Sequence, residues 1–357
     1  MTDAQNSKQI LRIVDADLNR IGEGLRVLEE AARFILNDAV LSESLKTMRH
    51  QLSVRDLGTR LRYLDARDSQ NDVGTDIKVN LQSNKKELGE TITANARRVE
   101  ESLRVMEEIS KVKGIEFDSQ TYQDARFKLY TIEKELIARI TRRDKAARIY
   151  GLYAVIDSDC LKGRNIIEVA SQVLAGGVKL IQIRDKNSGK KELLVLAIAL
   201  KKLCVENEAL LIINDHLDIA LASDADGLHV GQEDLPVKAA RAFLPIDKLI
   251  GCSVTSVNEA QKAREDGADY LACGAVYATP TKLECPVVGL DALREIKKAV
   301  DLPLVAIGGI NIENIPDIFA AGVDAAAIIS AVVLARSPES AAKEILERIE
   351  ACHGQTD

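Results

Sequence analysis

No proline occurs before Pro236, although the chain of 357 residues holds seven. Glycine is skewed the same way, with fifteen of 21 at or after Gly151. With so few breakers, the first 145 residues read as long helices, and the remainder reads as frequently interrupted alternation. The polar stretch Arg142-Arg143-Asp144-Lys145 marks the change, giving an all-helical domain over 1–145 and a second domain over 146–357. Cysteine offers no framework. Cys160, Cys204, Cys252, Cys273, Cys285 and Cys352 include no CxxC and no nearby histidine partner, which argues for reduced thiols and against zinc. No apolar run approaches the ~20 residues that cross a bilayer. The polar start MTDAQNSKQI has no apolar signal core, so a cytoplasmic protein without a membrane partner is expected. A net charge of −7 and a pI near 5.4 argue against nucleic acid as a partner. There is no GxxxxGK[ST], so no P-loop nucleotide site is indicated.

The first domain contains a repeat. ADLNRIGEGLRVLEE at 16–30 matches ANARRVEESLRVMEE at 94–108. Ile21, Leu25 and Leu28, with Val99, Leu103 and Met106, form one apolar stripe per copy and are expected to face a core. Arg20 with Glu23, and Arg98 with Glu101, are spaced to pair across one helical turn. Further helical sequence follows each copy at 39–62 and 119–141, so two helix pairs can pack as one bundle. Between the copies, RDSQNDVGTD at 67–76 is a polar loop by composition.

After Arg148 the chain alternates regularly. Apolar runs of strand length fall at 152–156, 178–183, 210–213, 227–230, 249–252, 270–276, 304–307 and 325–329, separated by helix-compatible segments. The fold class is therefore α/β, a (β/α)₈ barrel preceded by an all-α domain, with a doubly wound sheet as the alternative. Barrels carry their chemistry at the C-terminal strand ends. The second strand ends Gln182-Ile183-Arg184-Asp185-Lys186, where alternation puts an amide and two cations on one side. The third ends Asn214-Asp215-His216, the fourth runs through His229 to Asp234, and the fifth ends Cys252-Ser253. The sixth breaks into Ala278-Thr279-Pro280-Thr281-Lys282, donors and positive charge suited to holding an anion. Gly308-Gly309 follows the seventh strand, and Ile329-Ser330 ends the eighth, where phosphate sites recur in this fold. Two carboxylates, Asp215 and Asp234, suit a hard cation such as Mg²⁺ that shares a diphosphate ligand.

QIRDK at 182–186, IND at 213–215, HVGQEDLP at 229–236, GCSV at 251–254, TPTK at 279–282 and AIGGI at 306–310 together resemble thiamine-phosphate synthase. The resemblance implies a transferase that joins a hydroxymethylpyrimidine diphosphate to a thiazole phosphate with loss of pyrophosphate. It implies pyrimidine-diphosphate contacts from Gln182, Ile183, Arg184, Asp185, Lys186, Asn214, Ser253 and Lys282, with Arg184, Lys186 and Lys282 as the catalytic cations. By the same resemblance Asp215 and Asp234 hold Mg²⁺, while Thr279, Pro280, Thr281, Gly309, Ile329 and Ser330 take the thiazole phosphate. Tyr277-Ala278 stands where the family usually has phenylalanine, and Leu283-Glu284 where it usually has aspartate, which puts loop closure in question. The first domain resembles the helical module fused ahead of some of these synthases, similar to a hydroxymethylpyrimidine-phosphate kinase. That implies ATP as a further substrate; the alternative is a non-catalytic dimerisation bundle, and a homo-oligomer stays open.

Overall fold

A computed structural model describes residues 3–54, 56–68, 88–113, 115, 117–161, 163–279 and 286–353. The chain divides into two compact units, Met1–Thr141 and Arg142–Asp357.

The first unit is built from α1 (Asp3–Glu30), α2 (Ala39–Leu52), α3 (Leu57–Ala66), α4 (Leu88–Ile109) and the start of α5 (Ser119–Ala146). Both repeat stripes are buried as expected: Ile21, Leu25, Leu28, Val99, Leu103 and Met106 share one core. Gly24 lies where α1 meets α4. A Cβ there would come within 2.4 Å of a Val99 methyl, so the two helices meet only because the residue is small. The helical sequence expected over 39–62 forms two helices, α2 and α3, and Asp56 caps the second by accepting from the Thr59 N–H. Arg20 reaches back to Asp17 at 3.1 Å instead of forward to Glu23. The repeated glutamates have a different use. Glu29 accepts from Arg49 and Glu107 from Arg126, both at 2.9 Å, tying each copy to the helix that follows it. A π-helical turn, Ala31–Ile35, ends α1.

The second unit is a closed barrel of eight parallel strands in sequence order. They are β1 (Gly151–Asp157), β2 (Leu180–Arg184), β3 (Leu210–Asn214), β4 (Gly227–Val230), β5 (Leu249–Val254), β6 (Tyr270–Cys273), β7 (Leu304–Ile307) and β8 (Ala325–Ile328). Helices follow the strands and cover the outside, so alternate strand residues are buried against helices or inside the barrel. Leu152, Ala154 and Ile156 face the helices. Tyr153 and Val155 join Leu180, Leu210, Leu249, Tyr270 and Val305 inside. This double burial is why the strands read as unbroken apolar runs. At their N-terminal ends a single device recurs. Asp226, Asp269 and Asp324 each stand just before an even-numbered strand. Their carboxylates accept the backbone N–H of Leu211, Ile250 and Leu304 in the preceding strand, at 2.9, 2.8 and 2.7 Å. Each also takes a cation: Lys201, Arg241 and Lys297 respectively.

Candidate active site at the barrel mouth

Strand parity decides which side chains reach the mouth. In β2 the inward set is Leu180, Gln182 and Arg184, while Ile181 and Ile183 pack against the helices. Ile183 is only 1 % exposed on that outer side, so its backbone alone is available to a ligand. Asp185 is likewise turned away. Its carboxylate accepts the N–H groups of Asn187 (3.1 Å) and Ser188 (2.9 Å), which shapes the loop. Those hydrogen bonds hold Asp185 ionised, its pKa below the ordinary range despite burial. The side chains of Ile183 and Asp185 therefore face away from the mouth and support β2 and its loop.

Arg184 is fixed by a residue that the strand-end reading passed over. Asp157, the last residue of β1, is paired in register with Arg184 and forms a salt bridge with its guanidinium. The Asp157 side chain is 2 % exposed and that of Arg184 is 21 % exposed, so the cation is anchored from below and open above. The signal was present, since Asp157 is the polar residue that ends the run 152–156, as Arg184 ends β2.

Asn214 ends β3, and Asp215 follows it in the left-handed region at φ 60°. Its N–H donates to the His229 carbonyl at 2.8 Å, which holds the turn. Asp234 comes from the loop after β4, where it accepts the Gly231 N–H at 2.7 Å. The two carboxylates lie within hydrogen-bonding reach of each other. Burial, then the Asp234 carboxyl, push Asp215 up to about 6, while Lys186 and His216 pull it back. Lys186 itself is exposed at the rim. Two carboxylates facing one another are the donor set a hard divalent cation neutralises.

Ser253, on the inward side of β5, is half-buried and hydrogen-bonded to His229 at 3.0 Å. The Gln232 amide donates to the Ser253 carbonyl at 2.6 Å. On the far side of the mouth, Gly308 and Gly309 both have positive φ, 103° and 66°. Their turn lies against the segment after β6: a Cβ on Gly309 would stand 2.7 Å from Tyr277 Cβ, which only glycine avoids. Tyr277 N donates to the Gly308 carbonyl at 3.1 Å. Thr279 is half-buried, and Ser330 is exposed at the start of the short helix Ser330–Val333 that follows Ile329. Pro280, Thr281 and Lys282 lie outside the described residues.

Comparison with known proteins points to one family for the barrel. The family model described as thiamine monophosphate synthase matches residues 152–332, and the ThiD2 family matches residues 12–135. The thiamine-phosphate synthase of Thermosynechococcus vestitus is 37 % identical over 354 residues, covering 98 % of this chain and 97 % of that protein. That of Rhodopirellula baltica is 36 % identical over 365 residues, covering 98 % and 96 %. Among solved structures, the thiamine phosphate pyrophosphorylase of Pyrococcus furiosus is 38 % identical with a TM-score of 0.54, covering 58 % of this chain and 98 % of that one. A barrel whose strand ends converge on one mouth, matched along nearly its whole length by these relatives, belongs to the thiamine-phosphate synthase family of transferases.

Proposed function

We propose that the barrel condenses hydroxymethylpyrimidine diphosphate with thiazole phosphate, giving thiamine phosphate and pyrophosphate. The observation that carries this reading is the adjacency of Asp215 and Asp234 beside Lys186, with Gln182, Arg184, Asn214 and Ser253 on neighbouring inward strand positions. In the reaction the bond between the pyrimidine methylene and the diphosphate oxygen breaks, and the departing pyrophosphate keeps the electron pair. The thiazole nitrogen lone pair forms the new carbon–nitrogen bond. No protein nucleophile is required, so the side chains bind, orient and neutralise. Arg184, braced by Asp157, and Lys186 meet the charge that grows on the leaving group, with Lys282 as the third cation. Asn214 holds the diphosphate, and Gln182 and Ser253 hold the pyrimidine. Thr279, Pro280, Thr281, Gly309, Ile329 and Ser330 take the thiazole phosphate.

Asp215 and Asp234 fit Mg²⁺, because their mutual repulsion is relieved only by a proton or a cation. When bound, Mg²⁺ adds positive charge at the diphosphate oxygens. The test is release of pyrophosphate from the pyrimidine diphosphate. It is expected only when thiazole phosphate is present, and Lys282→Ala is expected to lower turnover by about 100-fold with an unchanged melting temperature. Unaltered turnover in that variant would remove the lysine from the chemistry.

For the first unit we infer a pyrimidine-phosphate kinase role, supported by the ThiD2 family match over residues 12–135. The full chain, given ATP and hydroxymethylpyrimidine phosphate, is then expected to produce ADP and the diphosphate. If ATP is not consumed, the unit is a structural bundle.

A further inference from the structure

Barrel interiors are ordinarily filled by branched apolar side chains, yet this one carries a chain of polar groups directly beneath the mouth. Gln182 Nε2 donates to Tyr153 Oη at 2.8 Å. Tyr153 Oη lies 3.0 Å from Tyr270 Oη, and Tyr270 Oη lies 3.1 Å from His229 Nδ1. His229 Nε2 lies 3.0 Å from Ser253 Oγ. The five residues come from β2, β1, β6, β4 and β5, so the chain crosses the barrel from one wall to the other. Tyr153 and Tyr270 are 1 % and 0 % exposed. Gly251 clears the crossing, because a Cβ there would stand 2.4 Å from both His229 Nδ1 and Tyr270 Oη. Burial raises the pKa of both phenols, so each stays neutral and carries one proton to give.

Counting those protons sets the direction of the chain. With Gln182 donating, the Tyr153 hydroxyl donates to Tyr270. The Tyr270 hydroxyl then donates to His229 Nδ1, which leaves Nε2 as the N–H that donates to Ser253 Oγ. The Ser253 proton, the Gln182 carbonyl oxygen and the second Gln182 N–H are the groups the chain does not use. Reversing the sense would require flipping the Gln182 amide, both hydroxyls and the His229 tautomer together.

We propose that Tyr153, Tyr270 and His229 are positioning residues that set Gln182 as an acceptor and Ser253 as a donor toward the mouth. That pair is complementary to an aminopyrimidine, whose exocyclic amine donates and whose ring nitrogens accept. The proposal rests on the reading of Gln182 and Ser253 as pyrimidine contacts.

Two measurements on the full chain test it. Long-range ¹H–¹⁵N spectra need resolve only four histidines, with His229 assigned by its loss in His229→Asn. Protonated Nε2 and bare Nδ1 are expected, and a proton on Nδ1 overturns the proposal. Tyr270→Phe and Tyr153→Phe keep the ring shape and remove one link. Each is expected to raise the KM for the pyrimidine diphosphate by about tenfold while leaving that for thiazole phosphate unchanged. An equal change in both constants, or in neither, overturns the relay, and if either variant fails to fold the wild-type tautomer still decides. Gln182→Ala and Ser253→Ala separate the two levels. If both weaken pyrimidine binding and the phenylalanine variants do not, only the relay fails; if neither does, the underlying assignment fails with it.

Discussion

Asp157 is where residue-scale chemistry and residue-scale prediction meet. Its buried carboxylate pairs with the partly exposed guanidinium of Arg184. Removing it leaves the arginine free to leave the mouth and subtracts an anion from the barrel end. Asp157→Ala is therefore expected to lower kcat/KM by about 100-fold through the pyrimidine diphosphate. Steady-state kinetics with thiazole phosphate held saturating checks this, and an unchanged value would make the pair purely structural. Asp215 gives a pH-dependent counterpart. Burial and Asp234 raise its pKa to about 6, so protons compete with the cation below that value. Calorimetric Mg²⁺ affinity is expected to weaken as pH falls through about 6 and to level off above it. Affinity independent of pH would place the ion elsewhere. Much at this scale was legible in the sequence. Arg184, Asn214 and Asp215 follow from reading polar residues at strand ends. Ile183 and Asp185 share a motif with Gln182 and Arg184 but have the opposite parity, and contiguity in a motif says nothing about strand parity. The sequence gives alternation, but only the barrel says which parity points inward.

At the scale of elements, the same limit explains Tyr153 and Tyr270. Each counts as an apolar strand residue in a pattern, and their hydroxyl partners lie on other strands, 117 residues apart. Their polar role depends on closure of the barrel and on the space left by Gly251, neither of which is local. The helical repeat was legible as burial and illegible as pairing. The stripes were correctly periodic, whereas Glu29 and Glu107 find arginines 20 and 19 residues away on the next helix. Two expectations belong here. Gly24→Val places a branched side chain against Val99 and is expected to cost about 1–3 kcal/mol of stability. Chemical denaturation of the full chain measures it, and no loss would mean that α1 and α4 separate freely. Asp226→Ala leaves the Leu211 N–H and the Lys201 ammonium without their buried acceptor. A loss of about 3 kcal/mol is expected in the barrel transition with an unchanged denaturant slope. A loss within experimental error would show that the recurring aspartates do not brace the strands.

At the scale of the whole molecule, the chain holds two units with separate cores and family matches of their own. The strand order and closure of the barrel unit were legible because eight strand–helix units impose eight repetitions of one pattern, and each strand end exposes polar residues to the same side. The helical unit yields its core but not its chemistry, since a helix surface offers many polar residues with no equivalent convergence. The most direct measurement is a crystal structure with Mn²⁺ in place of Mg²⁺ and with pyrophosphate, read by anomalous scattering. One Mn²⁺ peak between Asp215 and Asp234, bridging to pyrophosphate oxygens that also meet Arg184, is the expected result. A metal bound away from both aspartates, or pyrophosphate seated outside the barrel mouth, would contradict it.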